Sequence, residues 1–330
     1  MKTWRWGAAL FLLSFYAQAG EAPQCRVMKL ASLPIDFVGL QPTLHGKLNG
    51  VDVQLVMDSG ATTTTLFSSA VRKADLEQRH ADVISVGIGG QAQNFVAFAR
   101  DVEIGPSRGT NVRFMGTSET RMSGDGLLGA DYLFRTDLEV VLRDKQVTFL
   151  QADKCGDGPI SYWDPDAPWI EAHDSSGVDP RQQVEVRING HVFRALLDSG
   201  AMRSVLDVNA AAKIGLTPES DGTEKAGESS GIGARKVAVW RTRVDMFEIG
   251  PEAIRNAKIQ LADIYGAARV DHGVEMKISG EDMILGADFM RAHHLLFARS
   301  QHRLYFTYLG GKIFSLEEPA QAPQPVAPAQ

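Results

Sequence analysis

The hexapeptides VMDSGA (Val56–Ala61) and LLDSGA (Leu196–Ala201) lie 140 residues apart and differ only in their first two positions. Each places an Asp at the end of an apolar run, followed by a hydroxyl-bearing Ser and by a Gly without a side chain. A single Asp-Ser-Gly sequence is ordinary turn chemistry. Two copies in matching surroundings need a common cause, and an internal duplication is the first one to test.

The similarity between the two halves extends well beyond these hexapeptides. The matching segments are VDVQLVMDSGATTTTL (51–66) with HVFRALLDSGAMRSVL (191–206), VGIGGQ (86–91) with SGIGAR (230–235), VEIGP (102–106) with FEIGP (247–251), and GLLGADYL (126–133) with MILGADFM (283–290). Their offsets are 140, 144, 145 and 157 residues, so the order is kept and the second half contains small insertions. The chain is therefore a duplication of one unit.

Both halves have the pattern of β-strands. Short runs rich in Val, Ile and Phe alternate with turns that contain Gly, as in DVQLVM, DVISVGI and NFVAFA of the first half and QVEVRI, KVAVW and RLYFTYL of the second. Helical pattern is confined to short segments such as Ser68–Glu77 and Asp207–Gly215. We predict a mostly β protein with two similar lobes that face each other.

The repeated phrase gives this duplication a chemical purpose. Each strand delivers an Asp to the edge of its lobe, and pseudo-twofold packing would bring Asp58 and Asp198 together. Two adjacent carboxyl groups cannot both ionise cheaply, so the pair holds one proton and titrates as a unit. The ionised member can then accept a proton from a water molecule, while the protonated member donates to a substrate carbonyl. Each lobe would supply one half of an acid–base pair that hydrolyses an amide.

These ordered motifs resemble those of the aspartic proteases, and they are more similar to the retropepsin-like enzymes, including their bacterial relatives, than to pepsin. The resemblance spans about residues 40–309 and implies two pseudo-twofold related, retropepsin- or pepsin-like β-barrel lobes with an active-site cleft between them. It implies Asp58 and Asp198 as the catalytic residues of an aspartic endopeptidase. The supporting residues would be the serines that interlock the two loops and the glycines in the turns: Ser59, Gly60, Ser199 and Gly200.

The same resemblance implies two flaps that close over a peptide. Their tips would be Ile88, Gly89 and Gly90 in the first lobe and Ile232, Gly233 and Ala234 in the second. The second tip has Ala234 where the first has Gly90, which predicts that the two flaps are not equivalent.

Composition narrows the possible partners. The 330 residues are 44% apolar and 22% charged, which is typical of globular proteins. The net charge of −6 disfavours nucleic acid, because phosphate binding requires clustered Lys and Arg. The eight histidines show no ligand spacing, so we predict no metal. The segment GIGGQA (Gly87–Ala92) nearly fits a dinucleotide-binding loop, but strand pattern follows it instead of a helix, so we predict no cofactor. The predicted partner is a peptide or protein substrate, and because the lobes are already fused we expect a monomer.

The first residues have the three parts of a secretory signal. Lys2 and Arg5 precede a short apolar stretch, and Ala17–Ala19 offers small residues for cleavage. The stretch is too short to span a membrane, so we expect export, with the bacterial periplasm as the first choice and release as the alternative. The predicted division is a signal peptide (1–19), an N-terminal lobe (20–152), a linker (153–181), a C-terminal lobe (182–310) and a disordered Pro-, Ala- and Gln-rich tail (311–330).

The chain has two cysteines, Cys25 and Cys155. In an exported protein an even number permits one disulfide, which here would tie the mature N-terminus to the end of the first half. Two unpaired thiols are the alternative.

Other functions are weaker matches to the sequence. The segment GESSG (Gly227–Gly231) fits the serine-hydrolase motif, but that motif requires a strand before it and a helix after it. Glycosidases also use paired carboxylates, yet they place them in different environments, unlike the matching surroundings of Asp58 and Asp198. The main alternative to a peptidase is a non-catalytic peptide-binding module on the same fold.

Overall fold

A computed structural model describes residues 25–118, 120–266 and 280–314. The predicted signal peptide and nearly all of the predicted tail lie outside these residues. Within them the fold is mostly β with four short helices, and the prediction of two matching β lobes is confirmed.

The first lobe is an eight-stranded sheet in the order β2-β3-β4-β9-β5-β8-β7-β6, with a further pairing of β3 to β7 that closes it towards a barrel. The strands are β2 (Asp36–Val38), β3 (Gln41–Leu48), β4 (Val51–Met57), β5 (Thr65–Phe67), β6 (Glu77–Gly87), β7 (Gly90–Ile104), β8 (Ser107–Thr117) and β9 (Gly126–Leu128). Two helices, α1 (Ser68–Lys73) and α2 (Ala130–Leu133), follow β5 and β9.

The second lobe repeats this topology. Its strand order is β13-β14-β15-β20-β16-β19-β18-β17, with a further pairing of β14 to β18. The strands are β13 (His173–Ser176), β14 (Asp179–Ile188), β15 (His191–Leu197), β16 (Val205–Asp207), β17 (Glu224–Ser229), β18 (Val237–Ile249), β19 (Glu252–Ala262) and β20 (Met283–Leu285). The helices α3 (Val208–Ala212) and α4 (Ala287–Met290) stand where α1 and α2 stand in the first lobe.

A third sheet joins the two lobes. Its order is β1-β11-β10-β21-β22-β12, so three strands lie on each side of the boundary between β10 and β21. The strands are β1 (Arg26–Pro34), β10 (Asp137–Val141), β11 (Gln146–Asp153), β12 (Trp169–Glu171), β21 (His293–Ala298) and β22 (Arg303–Tyr308). At the centre β10 and β21 are antiparallel, with Leu138 opposite Phe297, which places the pseudo-twofold axis between them. The lobes are therefore connected by backbone hydrogen bonds as well as by side chains.

The predicted linker contributes to this shared sheet. Residues 153–181 contain β12, β13 and the first residues of β14. Ile160 and Ala167 are buried, and the indole of Trp163 stacks on the imidazole of His294 with ring centroids 3.8 Å apart. Although this segment is rich in turn-forming residues, a few apolar side chains pack it against the joined lobes.

The cysteines form the predicted disulfide. The Cys25–Cys155 bond closes the end of the β1–β11 ladder, directly beyond the pair Arg26 and Asp153. Within residues 25–118, 120–266 and 280–314, no helix has the length and apolar character needed to cross a membrane.

Candidate active site

The two repeated aspartates sit at equivalent strand ends, one in each lobe. Asp58 follows β4 and donates its backbone N–H to the carbonyl of Leu128 at 3.0 Å. Asp198 follows β15 and donates in the same way to Leu285 at 2.9 Å. Leu128 and Leu285 belong to the repeated apolar-apolar-Gly segments, so these segments fix where each Asp leaves its strand.

The serines next to the aspartates exchange hydrogen bonds across the lobe interface. The backbone N–H of Ser59 donates to the hydroxyl of Ser199 at 3.1 Å, and the N–H of Ser199 donates to the hydroxyl of Ser59 at 2.9 Å. Each hydroxyl in turn donates across the interface, Ser59 to the carbonyl of Leu197 at 2.8 Å and Ser199 to that of Met57 at 2.5 Å. Both serines are almost fully buried, so these four bonds lock one loop to the other.

The glycines allow the carboxyl groups to meet. A Cβ atom on Gly60 would overlap the carboxyl group of Asp198, and a Cβ on Gly200 would overlap that of Asp58. Each Asp also accepts the N–H of the glycine in its own loop, at 3.0 Å for Asp58 and 2.9 Å for Asp198. The structure thus brings together the two predicted aspartates, the two serines and the two glycines.

Burial and proximity shift the titration of the pair. Burial raises the pKa of Asp58 well above its usual range, and the neighbouring charge of Asp198 raises it further. Burial also raises the pKa of Asp198, while hydrogen bonds from Asp58 and from the N–H groups of Ala201 and Gly200 partly oppose the increase. This geometry favours a pair that shares one proton.

The predicted flap tips of the two lobes contact each other. The N–H of Gly89 donates to the carbonyl of Ile232 at 2.9 Å, and the N–H of Arg235 donates to the carbonyl of Gly89 at 3.0 Å. Gly233 has φ +100°, and a Cβ there would overlap the backbone of Gly89. The six residues predicted at the tips therefore belong to two hairpins in direct contact.

The two tips have different shapes. Only residues 88 and 89 separate β6 from β7, whereas residues 230–236 separate β17 from β18. The longer second tip is also fastened to the first lobe, where Ile232 pairs with Thr120 and packs against the apolar cluster of Val56, Phe67 and Leu127. The GESSG segment lies in β17 and this tip, and β18 follows it instead of the helix that a serine-hydrolase motif requires.

A group of charged residues beside Asp198 was not predicted from the sequence. The Nε and Nη2 atoms of Arg181 donate to Asp179 at 2.9 and 2.7 Å, and Nη2 lies 3.6 Å from the carboxylate of Glu281. The Nη1 atom points elsewhere, to the carbonyl of Gly60 at 3.5 Å. Glu281 also accepts the hydroxyl of Tyr265. We call Asp179, Arg181, Tyr265 and Glu281 the Arg181 cluster.

A comparison of equivalent positions in the two halves identifies Arg181 from the sequence. The registers of β3 with β4 and of β14 with β15 align at an offset of 140, which pairs Gln41 with Arg181. Gln41 makes the mirror-image contact, because its Nε2 donates to the carbonyl of Gly200 at 2.6 Å. A neutral donor in one lobe thus corresponds to a charged donor in the other.

Comparison with known proteins agrees with this architecture. A family model described as "Aspartyl protease" matches residues 44–132 and 184–289, one segment in each lobe and together more than half of the chain. The chain belongs to the aspartyl protease family. It is also similar to the UBA domain-containing protein Mud1 of Schizosaccharomyces pombe, with 32% identity over 112 residues. That match covers 33% of this chain and 28% of the yeast protein.

In the part of the chain that the structure describes, no three His, Cys, Asp or Glu side chains are grouped in an arrangement suitable for holding a metal ion.

The raised pKa of Asp58 predicts a pH-dependent cost of folding. The folded state binds the proton of Asp58 more tightly than the unfolded state does. The contribution of Asp58 to the free energy of unfolding is therefore most favourable below the ordinary Asp pKa of 3.8 and is lost as the pH rises through the folded-state pKa. We expect Asp58→Asn, which removes this titrating group, to raise the free energy of unfolding more at pH 7 than at pH 4. Urea unfolding at pH 4 and pH 7 measures this. An equal effect of the substitution at both pH values would contradict the shift.

The flap contact predicts a second effect. In Gly233→Ala the new Cβ must push the tips apart, so the N–H groups of Gly89 and Arg235 should exchange with solvent about ten times faster, the equivalent of one hydrogen bond. Gly227→Ala is the matched control, because Gly227 lies in the same hairpin with φ +110° but has no neighbour within 4 Å of such a Cβ. Residue-resolved hydrogen exchange reports both. Equal acceleration in the two variants would attribute the change to backbone strain alone.

Proposed function

We propose that this protein is an aspartic endopeptidase in which Asp58 and Asp198 activate a water molecule. The observation that carries the proposal is the reciprocal contact of Gly60 with Asp198 and of Gly200 with Asp58, which leaves the two carboxyl groups facing each other. The interlocked serines hold this arrangement without using either carboxyl group. We also propose that, within the aspartyl proteases, the protein is of the retropepsin-like type.

The reaction follows from the shared proton. The ionised carboxylate accepts a proton from the water, whose oxygen forms a bond to the peptide carbonyl carbon, while the protonated carboxyl donates its proton to the carbonyl oxygen. The tetrahedral intermediate then collapses: the carboxyl group that now holds a proton donates it to the nitrogen, the carbon–nitrogen bond breaks, and one hydroxyl of the intermediate returns its proton to the ionised carboxylate as the carbonyl re-forms. Water has been added across the bond and the pair again holds one proton.

The arrangement of the flaps favours an extended polypeptide as the substrate. The hairpins β6–β7 and β17–β18 contact each other at their tips, and in the proposed enzyme a substrate would pass beneath these tips to reach the aspartates. A peptide in an extended conformation can bind there by adding backbone hydrogen bonds, as in strand addition. The tips would have to separate to admit it and meet again before hydrolysis.

The test uses an unfolded protein as substrate. We expect the wild-type chain to cleave casein between about pH 3 and 7, and pepstatin to inhibit it. Asp58→Asn and Asp198→Asn should each lower the rate at least about 100-fold, because neither carboxyl group alone can act as acid and base. Asp157→Asn is the matched control, since it makes the same chemical change at a fully exposed position.

Each outcome of this assay has a clear reading. Equal cleavage by the wild type and both active-site variants would overturn the proposal. Peptide binding by the wild type without turnover would favour the non-catalytic peptide-binding module.

We further propose that the chain is exported, to a bacterial periplasm in the first instance. The Cys25–Cys155 disulfide supports this, because such bonds persist in oxidising compartments. Expression of the full chain in a bacterium should yield a periplasmic product whose intact mass corresponds to a first residue at Gly20. A cytoplasmic product that retains Met1 would contradict it.

A further inference from the structure

The surroundings of the two aspartates are nearly symmetric. Ser59 and Ser199 make the same contacts, and so do Gly60 and Gly200. A perfectly symmetric site would give each carboxyl group an equal claim to the shared proton. Any fixed assignment of the acid and the base must therefore come from residues that differ between the lobes.

The residues 17 positions before each Asp provide such a difference. Gln41 is neutral and donates to the carbonyl of Gly200, whereas Arg181 is cationic and its Nη1 lies 3.5 Å from the carbonyl of Gly60. Gly60 is also the residue against which the carboxyl group of Asp198 rests. A single glycine thus separates the positive charge of Arg181 from Asp198, and the corresponding position beside Asp58 has no charge.

The orientation of Arg181 determines which charge the aspartates experience. Asp179 is bound on the Nε and Nη2 side of the guanidinium, and Glu281 is near Nη2, while Nη1 is directed towards Gly60. Glu281 is further satisfied by the hydroxyl of Tyr265 and by Gln183. Glu281 is therefore held mainly by other donors, Asp179 occupies the Nε and Nη2 side of the guanidinium, and the Nη1 side is left to face Gly60 of the active-site loop.

We propose that Arg181 is a positioning residue that makes the two carboxyl groups unequal, so that Asp198 is the ionised member of the pair and Asp58 the protonated one. This inference rests on the proposed function and deepens it. Asp198 becomes the base that accepts a proton from water, and Asp58 becomes the acid that donates to the peptide carbonyl.

The titration tendencies of the two groups are consistent with this assignment. Burial raises the pKa of Asp198, hydrogen bonds from Asp58 and from the N–H groups of Ala201 and Gly200 lower it, and the charge of Arg181 lowers it further. For Asp58 the nearest charge is that of Asp198, which raises the pKa. A cation near a carboxyl group stabilises its ionised form, and at distances of about 4–6 Å the effect is about 1–3 pH units.

The test measures each carboxyl group separately and needs no turnover. With aspartate labelled at ¹³Cγ, Asp198 is titrated by NMR in Asp58→Asn and Asp58 is titrated in Asp198→Asn. Adding Arg181→Gln, which copies the residue of the first lobe, should move the titration of Asp198 upward by about one pH unit and that of Asp58 by less than half as much. Arg181→Lys, which keeps the charge, should stay close to the parent.

A second variant keeps the inference testable if Arg181→Gln does not fold. By symmetry, Gln41→Arg places a guanidinium beside Gly200, against which Asp58 rests, and should move the titration of Asp58 downward. Equal shifts of both aspartates in Arg181→Gln, or no shift in either variant, would overturn the inference. The acid limb of the casein assay should move to higher pH in Arg181→Gln.

The titration and the cleavage assay test the two proposals independently. Unequal carboxyl groups in a protein that cleaves nothing would refute the peptidase and leave the asymmetry. Cleavage by a protein whose two carboxyl groups titrate alike would refute the role of Arg181 and leave the peptidase proposal standing.

Discussion

The structure depends on two buried carboxyl groups that are held against each other. Burial and mutual repulsion oppose this contact, so the surrounding structure must stabilise it. The reciprocal bonds of Ser59 and Ser199 do so without occupying a carboxyl oxygen, because each serine bonds to the backbone of the other lobe. The carboxyl groups remain available for chemistry only because other atoms hold the loops together.

The shared sheet supplies the rigidity that this contact requires. Four hydrogen bonds between loops could not by themselves hold two independent domains in register. The pairing of β10 with β21 continues one sheet through both lobes, and buried apolar side chains such as Leu138 and Phe297 meet on it. The position of the aspartates is therefore set by the fold as a whole.

The sequence predicted what symmetry determines, and among the features that break the symmetry it predicted only the difference between the two flap tips. The repeated motifs were sufficient to predict two β lobes and to bring Asp58 and Asp198 together, because matching segments must fold alike. They could not predict that residues 153–181 contribute a strand to a sheet shared by both halves, since a three-residue strand such as β12 has no recognisable period. Arg181 escaped notice because an arginine at the start of a strand suggests only a solvated surface, and its role depends on contact with Gly60 of the other lobe.

The departures from symmetry have a common physical consequence. A peptide has a direction, and a twofold-symmetric cleft binds it equally well in either one. Fusion of the two copies in one chain allows each lobe to change alone, and here the second lobe has the longer flap tip, the anchored Ile232 and the charged Arg181 cluster. In the proposed peptidase, a cleft built in this way would distinguish the two ends of a bound peptide. If the acid and the base are fixed residues as well, the water and the peptide carbonyl have one productive arrangement instead of two equivalent ones.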